Sequence, residues 1–113
     1  LIYSIVYNLC DNAIKYNHCG GNVNIRVHQT LYNAVLSVKD TGIGIPEESR
    51  ERIFERFYRV DKSRSKEVGG TGLGLSIVKH AVMIHNGKIE VKSELGEGTE
   101  MIVTIPNKQD INL

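Results

Sequence analysis

Asp40-Thr41-Gly42-Ile43-Gly44-Ile45-Pro46 follows a β-prone run, Ala34 to Val38, and precedes two acids, Glu47 and Glu48. A strand delivering a carboxylate into a two-glycine loop is expected here. Proline is tolerated in a first helical turn and acids favour a helix N-terminus, so a short helix should follow to about Phe54. Upstream, Val23, Ile25 and Val27 alternate with polar residues and pair as a strand with 34–38 around Tyr32-Asn33. Before them Ile2, Ile5, Val6, Leu9, Ala13 and Tyr16 recur at helical spacing, and the turn-forming stretch Asn17 to Asn22 ends that helix. Downstream, the polar, basic stretch Arg59 to Gly70 reads as a mobile loop. Leu73, Ile77, Val78, Ala81 and Ile84 make a second long helical stripe, with Gly87 as its C-terminal stop. Lys88–Glu94 and Thr99–Ile105 then alternate as strands around Leu95-Gly96-Glu97-Gly98, and Pro106 closes the second. This order predicts an α/β (α+β) two-layer sandwich, with helices on one face of a mixed, mostly antiparallel sheet. Residues 1–106 form one domain and 107–113 a frayed tail.

With 113 residues, 41% hydrophobic and 24% charged, the chain suits one core. A formal net charge of +1 gives no global field toward nucleic acid, an anionic membrane or acidic substrates, so any anion site must be local. Cys10 and Cys19 lack metal-ligand or CxxC spacing and read as reduced thiols of a cytosolic protein. No apolar run approaches the roughly 20 residues of a membrane span. The start Leu-Ile-Tyr-Ser has neither initiator Met nor signal-peptide basic region and reads as an excised piece, so nothing follows about the parent's membrane topology.

Four segments carry chemistry. Asn8, Asn12 and Lys15 are spaced i, i+4, i+7, which stacks two amides and an ammonium on one helix stripe. Amide oxygens suit a hard cation such as Mg²⁺, and Lys15 can meet phosphate as a point charge; a solvated helix face is the competing reading. Asp40, beside Ile43 and Ile45, can only accept hydrogen bonds when ionised, which suits an exocyclic amino group such as adenine's. Gly42 and Gly44 would let backbone approach a flat base, although a plain cap or turn former fits Asp40 as well. Gly69 to Ser76 opens the second long helix, bringing unpaired N–H groups and the positive end of a helix dipole to one point, a phosphate site unless it is merely a linker. Neither GxxxxGK[ST] nor GxGxxG after a strand is present. Arg52, Arg56, Arg59, Lys62, Arg64 and Lys66 lie between the two glycine loops, interleaved with Phe54, Phe57 and Tyr58. They could neutralise a polyphosphate; a nucleic-acid stripe loses weight without a second basic patch.

Taken in order, Asn8-Leu9-Cys10-Asp11-Asn12-Ala13-Ile14-Lys15-Tyr16, DTGIGIP (40–46), FERFYRVD (54–61), GGTGLGLSIVK (69–79) and GEGTEMIVTIP (96–106) resemble the boxes of the sensor histidine kinase catalytic domain, within the gyrase, Hsp90 and MutL ATPase superfamily. The resemblance implies a Bergerat-type ATP-binding fold whose N-terminal strands are missing here. It also implies an ATP- and Mg²⁺-dependent protein-histidine kinase of two-component signalling. Asn8 and Asn12 would hold Mg²⁺ and the phosphates, Lys15 and Tyr16 would contact phosphate and nucleoside, and Asp40 would read adenine. Gly42, Gly44, Ile45 and Thr99 would line the base pocket, while Gly70, Thr71, Gly72, Leu73, Gly74 and Leu75 would pass the phosphates. Phe54 and Phe57 would hold a lid over about 59–70, and Arg56 and Arg59 would approach the phosphates, with Asn8, Lys15 and Arg59 as the catalytic set. Where the superfamily's ATPases carry a Glu general base, this chain has Asn8, whose amide accepts no proton usefully; that favours phosphoryl transfer over hydrolysis. An ATPase module of gyrase type, or a non-catalytic nucleotide sensor, is the alternative. The family's acceptor histidine sits in a separate helical dimerisation domain, usually followed by an acid, and His18, His28, His80 and His85 here are followed by Cys, Gln, Ala and Asn. The implied partners are that helical domain and a downstream response regulator, with no nucleic acid and no direct membrane contact. The implied location is cytoplasmic, in a parent anchored in the membrane.

Overall fold

The computed structural model describes residues 2–56 and 74–107. The first helix, α1 (Ile2–Lys15), buries Ile5, Leu9 and Ala13, an i, i+4, i+8 row. That row is narrower than expected. Ile2 is 49% and Val6 38% exposed, because the helix lays one stripe on the sheet and turns these residues off it.

Strands β1 (Val23–Gln29) and β2 (Asn33–Asp40) form a hairpin. Thr30 closes it, donating its N–H to Asn33 O at 2.8 Å and accepting the Asn33 N–H on Oγ1 at 3.0 Å. After the loop at 40–46 the expected short helix shrinks to a 3₁₀ turn at Glu47–Ser49, extended by turn bonds such as Ile53 N–H to Ser49 O at 3.1 Å. Pro46 supplies no side-chain capping bond, and a single uncapped turn does not repay the entropy of nucleating an α-helix. Ile53 nevertheless reaches the core.

The second long helix, α2 (Gly74–Ile84), buries Val78, Ala81 and Val82, while Ile77 and Ile84, expected inside, are 44% and 52% exposed. Its C-terminus also corrects an expectation. Asn86, at φ 60°, takes the left-handed position, and Gly87 N–H donates to Val82 O at 2.9 Å. A side chain on Gly87 would overlap the Thr104 carbonyl, so this glycine answers close approach to a strand rather than a special φ.

Strands β3 (Lys88–Glu94) and β4 (Gly98–Pro106) complete a four-stranded sheet in the order β1-β2-β4-β3, antiparallel at every pairing. The register sets Val38 opposite Met101 and Leu36 opposite Val103, with Val91 and Ile89 across β4 from the same two residues. All lie on one face, where they pack with the buried rows of α1 and α2 in a single core. Each fully buried aliphatic such as Leu9, Val78 or Val103 contributes about 1.5–3 kcal/mol. The other face is mainly polar, with Val35 and Ile102 among its members and Ser37 donating to Glu100 Oε2 at 2.6 Å. The two-layer sandwich is as the sequence predicts. Among the described residues no helix is long and apolar enough to cross a membrane.

Candidate functional site

Asp40 ends β2 in the middle of the sheet and is 8% exposed. Its Oδ1 accepts the Gly42 N–H at 2.9 Å and the Thr99 N–H at 3.2 Å. Oδ2 has no hydrogen-bond partner among the described residues. Burial pushes the carboxyl above its ordinary value, with the two N–H donors pulling the other way.

The loop after Asp40 is wedged between α1 and the β3–β4 turn. Ile43 N–H donates to the Tyr16 carbonyl at 3.2 Å, and Ile43 O accepts the Gly96 N–H at 2.9 Å. A side chain on Gly42 would fall on that Tyr16 carbonyl. Gly44, at φ 77°, lies against the Glu94 carbonyl, where a Cβ would overlap. Ile45 N–H donates to Ser93 Oγ at 2.7 Å while its side chain packs on the core. Asp40, Gly42, Gly44, Ile45 and Thr99, which belong to two separate stretches of sequence, are thus brought into one cluster.

Asn8 sits on α1 beside the start of α2. Its Nδ2 donates to Ser4 O one turn back at 2.8 Å, which turns Oδ1 outward. A Cβ built on Gly74, the first residue of α2, would lie 3.2 Å from that oxygen. An amide oxygen therefore faces the N-terminal end of a helix, where unpaired N–H groups attract anions. Half-buried Asn12 lies one turn further along α1. Leu75 packs on the core.

Lys15 is paired within α1. Its Nζ pairs with Asp11 Oδ2 at 3.0 Å, an i, i+4 ion pair about one-third exposed on each side. Tyr16 enters the cluster through its backbone carbonyl. Arg56 is exposed, and Phe54 packs on the core beneath the Lys79 ammonium, 5.4 Å from the ring centroid. Phe57, Arg59, Gly70, Thr71, Gly72 and Leu73, with the whole expected lid at 59–70, lie outside the described residues. Cys10 and Cys19 are free, and burial raises the Cys10 thiol.

Three participants were missed as site residues in the sequence. Ser93 bonds to Ile45, Gly98 and Thr99, and the Arg50 guanidinium donates to the Ser93 carbonyl. The alternation of β3 does carry a signal for Ser93, a polar side chain in the inward row of Ile89 and Val91. Gly98, at φ 120°, sits where a Cβ would overlap the Asp40 carbonyl.

Among the described residues no group of three or more His, Cys, Asp or Glu could hold a metal. Asn8 and Asn12, one turn apart on α1, carry amide oxygens of the kind a hard cation accepts.

The family model described as histidine kinase-, DNA gyrase B-, and HSP90-like ATPase matches residues 1–109. The sensor-like histidine kinase SenX3 of Mycolicibacterium smegmatis is 46% identical over 110 residues, which are 97% of this chain and 29% of that protein. The sensor histidine kinase WalK of Bacillus subtilis is 45% identical over 111 residues, 96% of this chain and 18% of the relative. Among solved structures, the mycobacterial sensor histidine kinase MprB superposes with a TM-score of 0.81 at 38% identity, covering 91% of this chain and 70% of its own. The catalytic domain of histidine kinase ThkA gives 0.79 at 32% identity, over 96% and 68%. The chain spans less than a third of the curated relatives it matches.

Proposed function

As this chain belongs to the histidine kinase-, DNA gyrase B- and HSP90-like ATPase family, and is a catalytic ATP-binding domain of the sensor histidine kinase kind, we propose that it holds Mg·ATP between α1, the 40–46 loop and the start of α2. It then offers the γ-phosphate to a histidine on a helical dimerisation domain of the same protein.

Asp40 Oδ2 accepts from the adenine amino group, and Gly42, Gly44, Ile45 and Thr99 shape the base pocket. Asn8 and Asn12 carry Mg²⁺, whose part is to neutralise charge on the β- and γ-phosphates. The α2 N-terminus at Gly74, preceded by Gly70 to Leu73, receives phosphate oxygens. Lys15, released from Asp11, and Arg56 and Arg59 balance the remaining charge. The protein's work in such a transfer is positioning and electrostatics.

The observation that carries this reading is the residue at the phosphate end of α1. Asn8 presents an amide oxygen toward Gly74, and an amide cannot take a proton from water. Transfer to an external nucleophile is favoured over hydrolysis. Mixing the chain with the parent's helical domain and labelled ATP should yield acid-labile phosphohistidine, lost in Asn8→Ala. Steady phosphate release without labelled histidine would sink the reading in favour of an ATPase. A response regulator as next acceptor, and a cytoplasmic position where ATP is found, follow from the same proposal.

A further inference from the structure

The Ser93 hydroxyl uses its whole hydrogen-bonding capacity. It has one proton and two lone pairs. The Gly98 carbonyl, 3.0 Å away, can only accept, so it takes the proton. The Ile45 N–H, 2.7 Å away, can only donate, so it fills one lone pair. The remaining contact is Thr99 Oγ1 at 2.8 Å, and with the Ser93 proton already placed, Thr99 must be the donor. Its hydroxyl therefore has nothing but lone pairs to offer any other group.

Thr99 is also joined to Asp40, donating its N–H to Oδ1. The Asp40 carboxylate, with Oδ2 unpaired among the described residues, is likewise an acceptor. We propose that Ser93 is a positioning residue for base selection: by accepting the Thr99 O–H it leaves Thr99 Oγ1, like Asp40 Oδ2, with only lone pairs to present to a base. Such an arrangement selects a purine with an exocyclic amino group at the six position over one with an oxo group there. The same hydroxyl holds the Ile45 amide, so it couples the 40–46 loop to the β3–β4 hairpin. This role rests on the adenine reading of Asp40 given above.

Sites built to hydrogen-bond one group discriminate strongly against an analogue that leaves them unpaired. Calorimetric affinities of the 113-residue chain for ATP and inosine triphosphate, each with Mg²⁺, provide the test. ATP should bind more tightly. Ser93→Ala frees the Thr99 proton to meet an oxo group, and the ratio of the two dissociation constants should narrow by about tenfold or more; Ser93→Thr, which keeps the hydroxyl, should restore it. Thr99→Val, which removes the acceptor while keeping the side-chain shape, should narrow the ratio too and covers the case in which Ser93→Ala does not fold. A parallel loss of both nucleotides with an unchanged ratio in either variant would overturn the proposal, because that is what a merely structural role produces. Asp40→Asn separates the two levels. If it destroys the ratio while Ser93→Ala preserves it, only the Ser93 role falls; if it leaves the ratio intact, the adenine reading falls and takes the Ser93 role with it.

Discussion

The Thr99 N–H donates to Asp40 Oδ1 at 3.2 Å across 59 residues of sequence, so the closing hairpin holds the carboxylate that ends β2. Oδ1 is spent on Thr99 and Gly42, which fixes the direction in which Oδ2 can act.

Asp40→Asn should separate binding from stability. Burial raises the Asp40 carboxyl above 3.8, so between that unfolded value and the raised folded one the folded chain binds more protons than the unfolded chain. Stability on this account falls as pH rises through that window and is level above it. The amide removes the burial penalty and can still accept from Gly42 and Thr99, so urea midpoints at neutral pH should hold or rise. ATP affinity should drop about tenfold or more, because an N–H₂ would then face the amino group. In the parent chain, ATP affinity should also weaken as pH falls through the raised value, and that weakening should be absent in Asp40→Asn. A urea midpoint clearly lowered by the substitution would contradict the burial argument.

Gly44→Ala and Gly96→Ala form a controlled pair. Both positions have positive φ, 77° and 83°, which costs a side chain about 1–3 kcal/mol. Around Gly96 there is nothing within 4 Å of a new Cβ, whereas at Gly44 it would overlap the Glu94 carbonyl. Denaturant titration should find Gly44→Ala the more destabilising, and calorimetry should find nucleotide binding lost in it alone.

Much of this was legible in the chain. The helical row of Ile5, Leu9 and Ala13 and the alternation of Ile89 and Val91 follow from periodicity, which side-chain geometry imposes locally. Asp40 stood out because a carboxylate between a strand and two glycines is a local pattern. The pairing of Lys15 with Asp11 was equally local, an i, i+4 contact, yet the reading toward phosphate passed over it.

Lys15→Ala tests that reading. A partly exposed i, i+4 pair contributes about 0.3–0.5 kcal/mol, so thermal stability should barely change. If Lys15 leaves Asp11 for phosphate, Mg·ATP affinity should fall several-fold and adenosine affinity should not. Equal affinities for both ligands in variant and parent would remove Lys15 from the site.

The end of α2 offers a last comparison. Asn86→Gly should be within about 0.5 kcal/mol of the parent, since glycine adopts the left-handed position readily. Gly87→Ala should cost more than about 1 kcal/mol, because its Cβ meets the Thr104 carbonyl. The reverse order in chemical denaturation would restore Gly87 as the helix stop.

By itself the sequence determined the two long helices and the four strands, their order, the inward rows of Ile5, Leu9 and Ala13 and of Ile89 and Val91, and the glycine loop after Asp40, because these depend on residues within one turn or one strand of each other. Only the tertiary structure decided that Asp40 is held by Thr99, that Asn8 Oδ1 faces Gly74, that Gly87 serves a strand contact and that Ser93 meets Ile45, Gly98 and Thr99 at one hydroxyl. Each of these depends on which atoms the antiparallel register and the helix packing bring within hydrogen-bonding or van der Waals distance, and no local pattern encodes that distance.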